Sequence, residues 1–193
     1  MTNIVARMRN LLSFSSNAGG IDMSLSKLKT IQPNLFSDKA DTKLRTGWIK
    51  LLADQLKNGD ARAAVVIDPE QGLVAAYSDE IDCVVTLKFD LELAQSHGWK
   101  AGTRLLTVNT YQPIQKGLAA DLVPGPKHTR KFGNVRPIIA DLLTDDAGSV
   151  DLRKQAITEP EWSRALQLGN EAMVAKKFPP RDGRPLRCDK PAN

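Results

Sequence analysis

"RAAVVIDPEQGLVAAYSDEIDCVVTLKF", residues 62–89, decides the fold. It holds three apolar runs separated by two short polar links. The first run, 62–68, is rich in β-branched residues, and the "PEQG" that follows has the composition of a turn, with Gly72 able to take a positive φ. The second run is 73–78. In the third, Ile81, Cys83, Val85, Leu87 and Phe89 alternate with Asp82, Val84, Thr86 and Lys88, which is the period of a strand with two unlike faces. Strands joined by links this short run antiparallel, because a parallel return needs a crossover of about a dozen residues or more. The stretch predicts a three-strand meander.

The link before the third strand is acidic, with Asp79, Glu80 and Asp82 close together. As a bend it needs no further explanation: Asp favours turns, and charge at a reversal stays solvated. Asp82 then projects from the solvent side of the third strand. As a cation site it would need helper ligands, and no His, Asn or calcium-loop spacing surrounds it. We read it as the bend, and expect neither a metal nor a cofactor.

Working outward, Asp41 caps a helix over 42–57, with Leu44, Trp48, Leu51 and Leu52 as its stripe and Asn58-Gly59 as its stop. Residues 90–98 form a short helix with His97 at its negative end, where the ring can bond a carbonyl. Residues 103–111 form a fourth strand. Pro137 opens a short helix through Ile138, Ile139, Leu142 and Leu143. Thr158 and Glu161 have capping-box spacing, with Pro160 in the first turn. The last helix starts there and shows Trp162, Ala165, Leu166, Gly169, Ala172 and Met173 on one face. The expected fold is α+β: an antiparallel sheet of about four strands, the meander plus one, covered by helices, with extended N- and C-terminal segments. Residues 1–22 read as an amphipathic segment, 23–177 as a single α+β domain, and 178–193 as a Pro/Arg-rich tail.

The net charge of +5 is unevenly placed. Residues 176–193 carry six Lys or Arg against two acids, and Lys127, Arg130, Lys131 and Arg136 add four charges with no acid among them. The remaining body is net acidic, so the basicity is local. The loop could grip phosphates while Phe132 stacks on an unpaired base. In the tail, Arg181, Arg184, Arg187 and Lys190 recur every three residues, and a polyproline II conformation would align them on one edge. These residues are the candidate anion or nucleic-acid contacts. The plainer reading is a solvated loop and a disordered end.

Signals for catalysis are absent: there is no phosphate-binding loop, dinucleotide fingerprint or nucleophile elbow. The histidines and cysteines lack the close paired spacing of zinc ligands. Cys83 reads as a buried thiol, Cys188 as an exposed one. A thiol–imidazole pair of Cys83 with His97 would need exposure that the strand pattern argues against. No apolar run approaches the ~20 residues needed to span a bilayer. Without a disulfide framework or secretory signal the expected compartment is the cytoplasm, although residues 1–20, amphipathic and acid-free, also have the composition of an organellar transit segment. The expected function is a non-enzymatic interaction module that contacts a protein partner through its termini. Nucleic-acid association through the 127–136 loop and the tail is the alternative. An enzyme with dispersed groups is the third reading, and it requires polar side chains from distant segments to converge in one concave pocket.

Overall fold

The computed structural model describes residues 17–37, 40–114, 117–175 and 178–187. In chain order the elements are α1 (Leu25–Ile31), α2 (Thr42–Asn58), β1 (Asp60–Asp68), β2 (Leu73–Ser78), β3 (Cys83–Lys88) and α3 (Leu91–Ser96). There follow β4 (Arg104–Gln112), β5 (Val123–Pro124), β6 (Asn134–Ile139), α4 (Ala147–Ala156), α5 (Glu159–Ala175) and β7 (Arg181–Asp182).

The meander forms as its pattern requires. β1 and β2 pair antiparallel from Ala64↔Ala76, and β2 pairs β3 from Leu73↔Lys88 to Ser78↔Cys83. β4 lies against β1, giving the sheet order β5-β3-β2-β1-β4-β6; β5 pairs the start of β3 and β7 pairs its end, in parallel. The sheet is therefore larger than the four strands expected. β6 replaces the helix expected at Pro137: this proline sits in an edge strand, where a missing N–H costs no ladder bond. Only residues 140–142 form a helical turn there. Asp146 caps α4 by accepting from the Ser149 N–H at 3.0 Å.

Both faces of the sheet are buried. Ala63, Val65, Ala75, Val84, Leu106 and Val108 meet Leu28, Leu52, Leu56, Trp162, Ala165 and Leu168 from the helices. On the other face Ala64, Val66, Val74, Cys83, Val85 and Leu87 meet Phe89, Trp99, Leu122 and Val135. Each large aliphatic group so buried contributes about 1.5–3 kcal/mol. The parity read from the third strand holds, but its second face is not solvated at Val84, which is fully buried. Asp41 caps α2 by accepting from the N–H groups of Lys43 and Leu44 at 2.8 and 3.0 Å. The buried stripe of α2 is Leu51, Leu52, Gln55 and Leu56, one turn further along than expected, and Leu44 is exposed. α5 lies so close to the sheet that a Cβ at Gly169 would stand 2.5 Å from the Ala75 Cβ.

The ends of the described chain belong to the fold. The Ala18 backbone bridges Asp60, and Ile21 is buried in the core. β7 adds to the edge of β3, and from it Arg181 reaches the Val135 carbonyl and Asn134 on β6, at the far end of the strand order. The sheet is thus curled, with Arg181 fastening its two ends. Up to Arg187 the expected extended tail is instead packed, because Arg181 and Asp182 are buried and each is paired with an opposite charge. Residues 1–16, which carry most of the predicted amphipathic segment, and 188–193, with Cys188 and Lys190, lie outside the described residues. No helix among the described residues is long and apolar enough to cross a membrane.

Candidate functional site

The meander that makes the sheet also makes a cleft. β1 and β2 part company beyond Ala64↔Ala76, while β1 continues beside β4 to Asp60↔Asn109. The next pair in register, Ala63 and Tyr77, is satisfied from elsewhere. The Ala63 N–H donates to Glu161 Oε1 at 3.0 Å, and the Tyr77 carbonyl accepts from Asn109 Nδ2 at 2.8 Å. Backbone groups released by a splitting sheet must find such partners or lose about 1–3 kcal/mol each. The opening between the strands is therefore polar.

Into it projects Arg62, held from behind. Its Nε donates to Asp60 Oδ2 at 2.8 Å, and the same oxygen accepts from the Tyr111 hydroxyl at 2.6 Å. Ser78 Oγ donates to the Tyr111 hydroxyl at 3.1 Å, and Phe132 stacks on the Tyr111 ring with centroids 4.9 Å apart. Burial alone would lower the Arg62 pKa; Asp60 and Glu161 outweigh it and hold the guanidinium charged. Arg62 Nη1 then lies 3.9 Å from Asp79 Oδ2 and 3.8 Å from Glu161 Oε2. These separations are too long for direct hydrogen bonds.

The acidic knot is a bend, as read, but Asp82 does not face solvent. Its side chain is 5% exposed and its φ is +44°. β3 begins only at Cys83, so the strand parity does not extend to Asp82. The carboxylate turns inward and accepts from the Tyr77 hydroxyl at 2.8 Å and the Lys127 N–H at 2.7 Å, with Arg164 Nε at 3.7 Å. Gly125 permits this, since a Cβ there would meet the carboxylate at 2.3 Å. Burial, then the Asp82 hydrogen bond and charge, push the Tyr77 hydroxyl pKa up.

Asn17, Arg62, Tyr77, Asp79, Asp82, Lys127, Thr158, Glu161 and Arg164 thus line one cleft of about 540 Å³ with residues 156, 157 and 160. They come from the chain before α1, from β1, from β2 and the turn after it, from the loop after β5, and from the end of α4 through the start of α5. Glu161 is the telling member. Its capping-box spacing predicted a bond back to Thr158, but Oε1 is spent on Ala63 and Oε2 is turned toward Arg62. Burial raises its pKa above the ordinary value, against the pull of the Ala63 N–H and Arg62.

The residues singled out from the sequence are distributed differently. Lys127 lines the cleft. Arg130 is exposed beside a smaller hollow with His128 and Phe132. Lys131 pairs with Glu80, Thr129 Oγ1 donates to the Glu80 carbonyl, and Phe132 has one face on Tyr111, so the basic loop is folded onto the acidic turn. Arg136 lies on β6, half-buried, its carbonyl accepting from Gln55. Arg181 is 3% exposed; Arg184 bonds Asp182 at 2.5 Å, and Arg187 lies 3.3 Å from it.

Cys83 is buried and lies 3.2 Å from His128 Nδ1, not beside His97. The Nδ1–H donates to the Ile81 carbonyl at 2.7 Å, and burial followed by the Asp82 charge pushes the thiol up to about 12. A neutral thiol beside an imidazole whose near nitrogen already carries its proton is no nucleophile pair. His97 bonds the Leu93 carbonyl at 3.0 Å, the role its position predicted. Among the described residues no three His, Cys, Asp or Glu side chains are grouped to hold a metal ion. Compared with protein-family models, curated proteins and solved structures, the chain matches none.

Proposed function

We propose that the protein works by binding a small polar ligand in the cleft between the parted ends of β1 and β2 and the start of α5. One observation carries this reading. Three arginine–carboxylate pairs stand 3.7–3.9 Å apart in a single concavity, whereas Arg181–Asp121, Arg184–Asp182 and Arg104–Glu159 close to 2.5–2.6 Å. Asp60, Tyr111 and Ser78 fix Arg62 before any ligand arrives, which lowers the ordering cost of binding. This reading is better supported than contact through the termini, because Arg181, Arg184 and Arg187 already have acidic partners within the fold. It also meets the condition set for dispersed functional groups: charged side chains remote in sequence converge on one site.

The test is a thermal-shift screen of the full chain against a broad panel of sugars, amino acids, nucleotides and organic acids, repeated on Asp79→Asn and Arg164→Lys. The proposal expects stabilising compounds whose shift is lost in both variants. Stabilisation that both variants keep would count against it.

Nucleic-acid association remains the second reading, since Lys127 and Arg130 stand exposed. It expects a gel shift that weakens steeply with salt and is lost when Lys127 and Arg130 are changed to Ala. Binding that those changes leave intact would remove it.

A further inference from the structure

Resting on the reading of the cleft as a ligand site, we infer that its ligand is a neutral, polyhydroxylated molecule such as a sugar or cyclic polyol. A separation of 3.7–3.9 Å is too long for an N–H···O bond, yet a single hydroxyl oxygen can lie within hydrogen-bond reach of both groups. Such a hydroxyl accepts from the guanidinium and donates to the carboxylate, as a bridging water does. An anion could satisfy only the arginine, and a cation only the carboxylate. The cleft repeats the motif at Arg62–Asp79, Arg62–Glu161 and Arg164–Asp82, so a ligand with several hydroxyls can engage more than one pair at once.

Charge gives a second, separate argument. The cleft is lined by Arg62, Arg164 and Lys127 against Asp79, Asp82 and Glu161. The signs balance, and Asp60 stands immediately behind Arg62 at 2.8 Å. A phosphate or carboxylate entering this site meets as much repulsion as attraction, whereas a neutral polyol gives up less hydration than an ion does and replaces it with alternating donors and acceptors. Asp79 is 60% exposed on its side chain, so its carboxylate can adjust to different hydroxyl patterns.

Calorimetric titration of the full chain tests the inference. The probes are glucose, galactose, ribose, trehalose and myo-inositol, set against glucose 6-phosphate, glucuronate, glucosamine and glycine. The expected result is saturable binding of at least one neutral compound, no tighter binding of its charged analogue, and about a tenfold loss in Asp79→Asn, where one charged hydrogen-bond acceptor is removed. Arg164→Lys provides a second variant that leaves buried Asp60 paired. Binding confined to charged compounds, and lost in the two variants, would overturn the hydroxyl inference while leaving the cleft as the ligand site. Neutral binding unchanged in both variants would place the ligand elsewhere and overturn both. If none of these probes bound, the hydroxyl inference would fall, and the cleft would be judged by the broader thermal screen.

Discussion

Arg181 and Arg62 both pair with acids in the same curled sheet, Arg181 where its two edges meet and Arg62 on the central strand β1, and they are used in opposite ways. Arg181 donates at 2.6 and 2.8 Å to Asp121 and at 2.7 and 2.8 Å to Val135 and Asn134. Its geometry is closed, and it joins β7 to β6. Arg62 is closed on one side only, through Nε to Asp60, while Nη1 faces two carboxylates that it does not reach. Closed pairs hold a fold. Pairs positioned but left apart cost organisation without returning full bond strength, and such compromises concentrate at functional sites.

The comparison breaks first, if it breaks, at Arg181→Ala. Removing one partner of a buried hydrogen-bonded pair should cost about 3–5 kcal/mol, read as a fall in the denaturation midpoint in urea. A loss under about 1 kcal/mol, the range of surface pairs, would mean that Arg181 is no clasp. Tyr111→Phe comes next. It removes the hydroxyl that donates to Asp60 and accepts from Ser78. A buried group left unpaired costs about 1–3 kcal/mol, and ligand binding should weaken too as Arg62 loses its support. Stability lost with affinity intact would sever the proposed link between Tyr111 and the cleft.

pH separates the two regions by sign. Burial pushes Asp121 up, but the Arg181 hydrogen bonds and charge outweigh it and hold the carboxyl below its ordinary 3.8. Its stabilisation is present above pH 3.8 and is lost as pH falls through the lower folded value. Asp121→Asn should therefore be less stable than the parent at neutral pH, with the gap closing in acid. Glu161 shifts the other way, raised above 4.5 mainly by burial. Ionising it in the folded state is costly, so its contribution falls as pH rises from 4.5 through the folded value. Glu161→Gln should gain stability relative to the parent at neutral pH, and the difference should vanish below 4.5. Equal signs for the two variants would contradict the contrast. The smallest expected change in stability is that of Asp79→Asn, within about 0.5 kcal/mol, as for other exposed positions; only its effect on binding should be large.

Much of the sheet was legible because its signal is local. Alternation from Ile81 to Phe89 placed β3, and Asp41 with Asn58-Gly59 bounded α2 to within a residue. β6 was not legible, because Pro137 beside Ile138 and Ile139 reads equally as the first turn of a helix and as an edge strand. β5 and β7 span two residues each, too short to show a period. The cleft was hidden for a different reason. Glu161 meets Ala63 across 98 positions, and nothing near either residue announces the contact. Arg62, a lone charge beside an apolar run, and Asp82, an acid at the edge of a strand, were the two available signs. Both resemble ordinary surface residues until the strands are seen to part.

The most direct test of the contrast is nitrogen-15 NMR of the arginine side chains while the sugars and polyols are titrated into the full chain. The account predicts saturable shifts of the Nε–H signals of Arg62 and Arg164, with Arg181 unmoved. Shifts at Arg181 or Arg130 with Arg62 and Arg164 silent would contradict it.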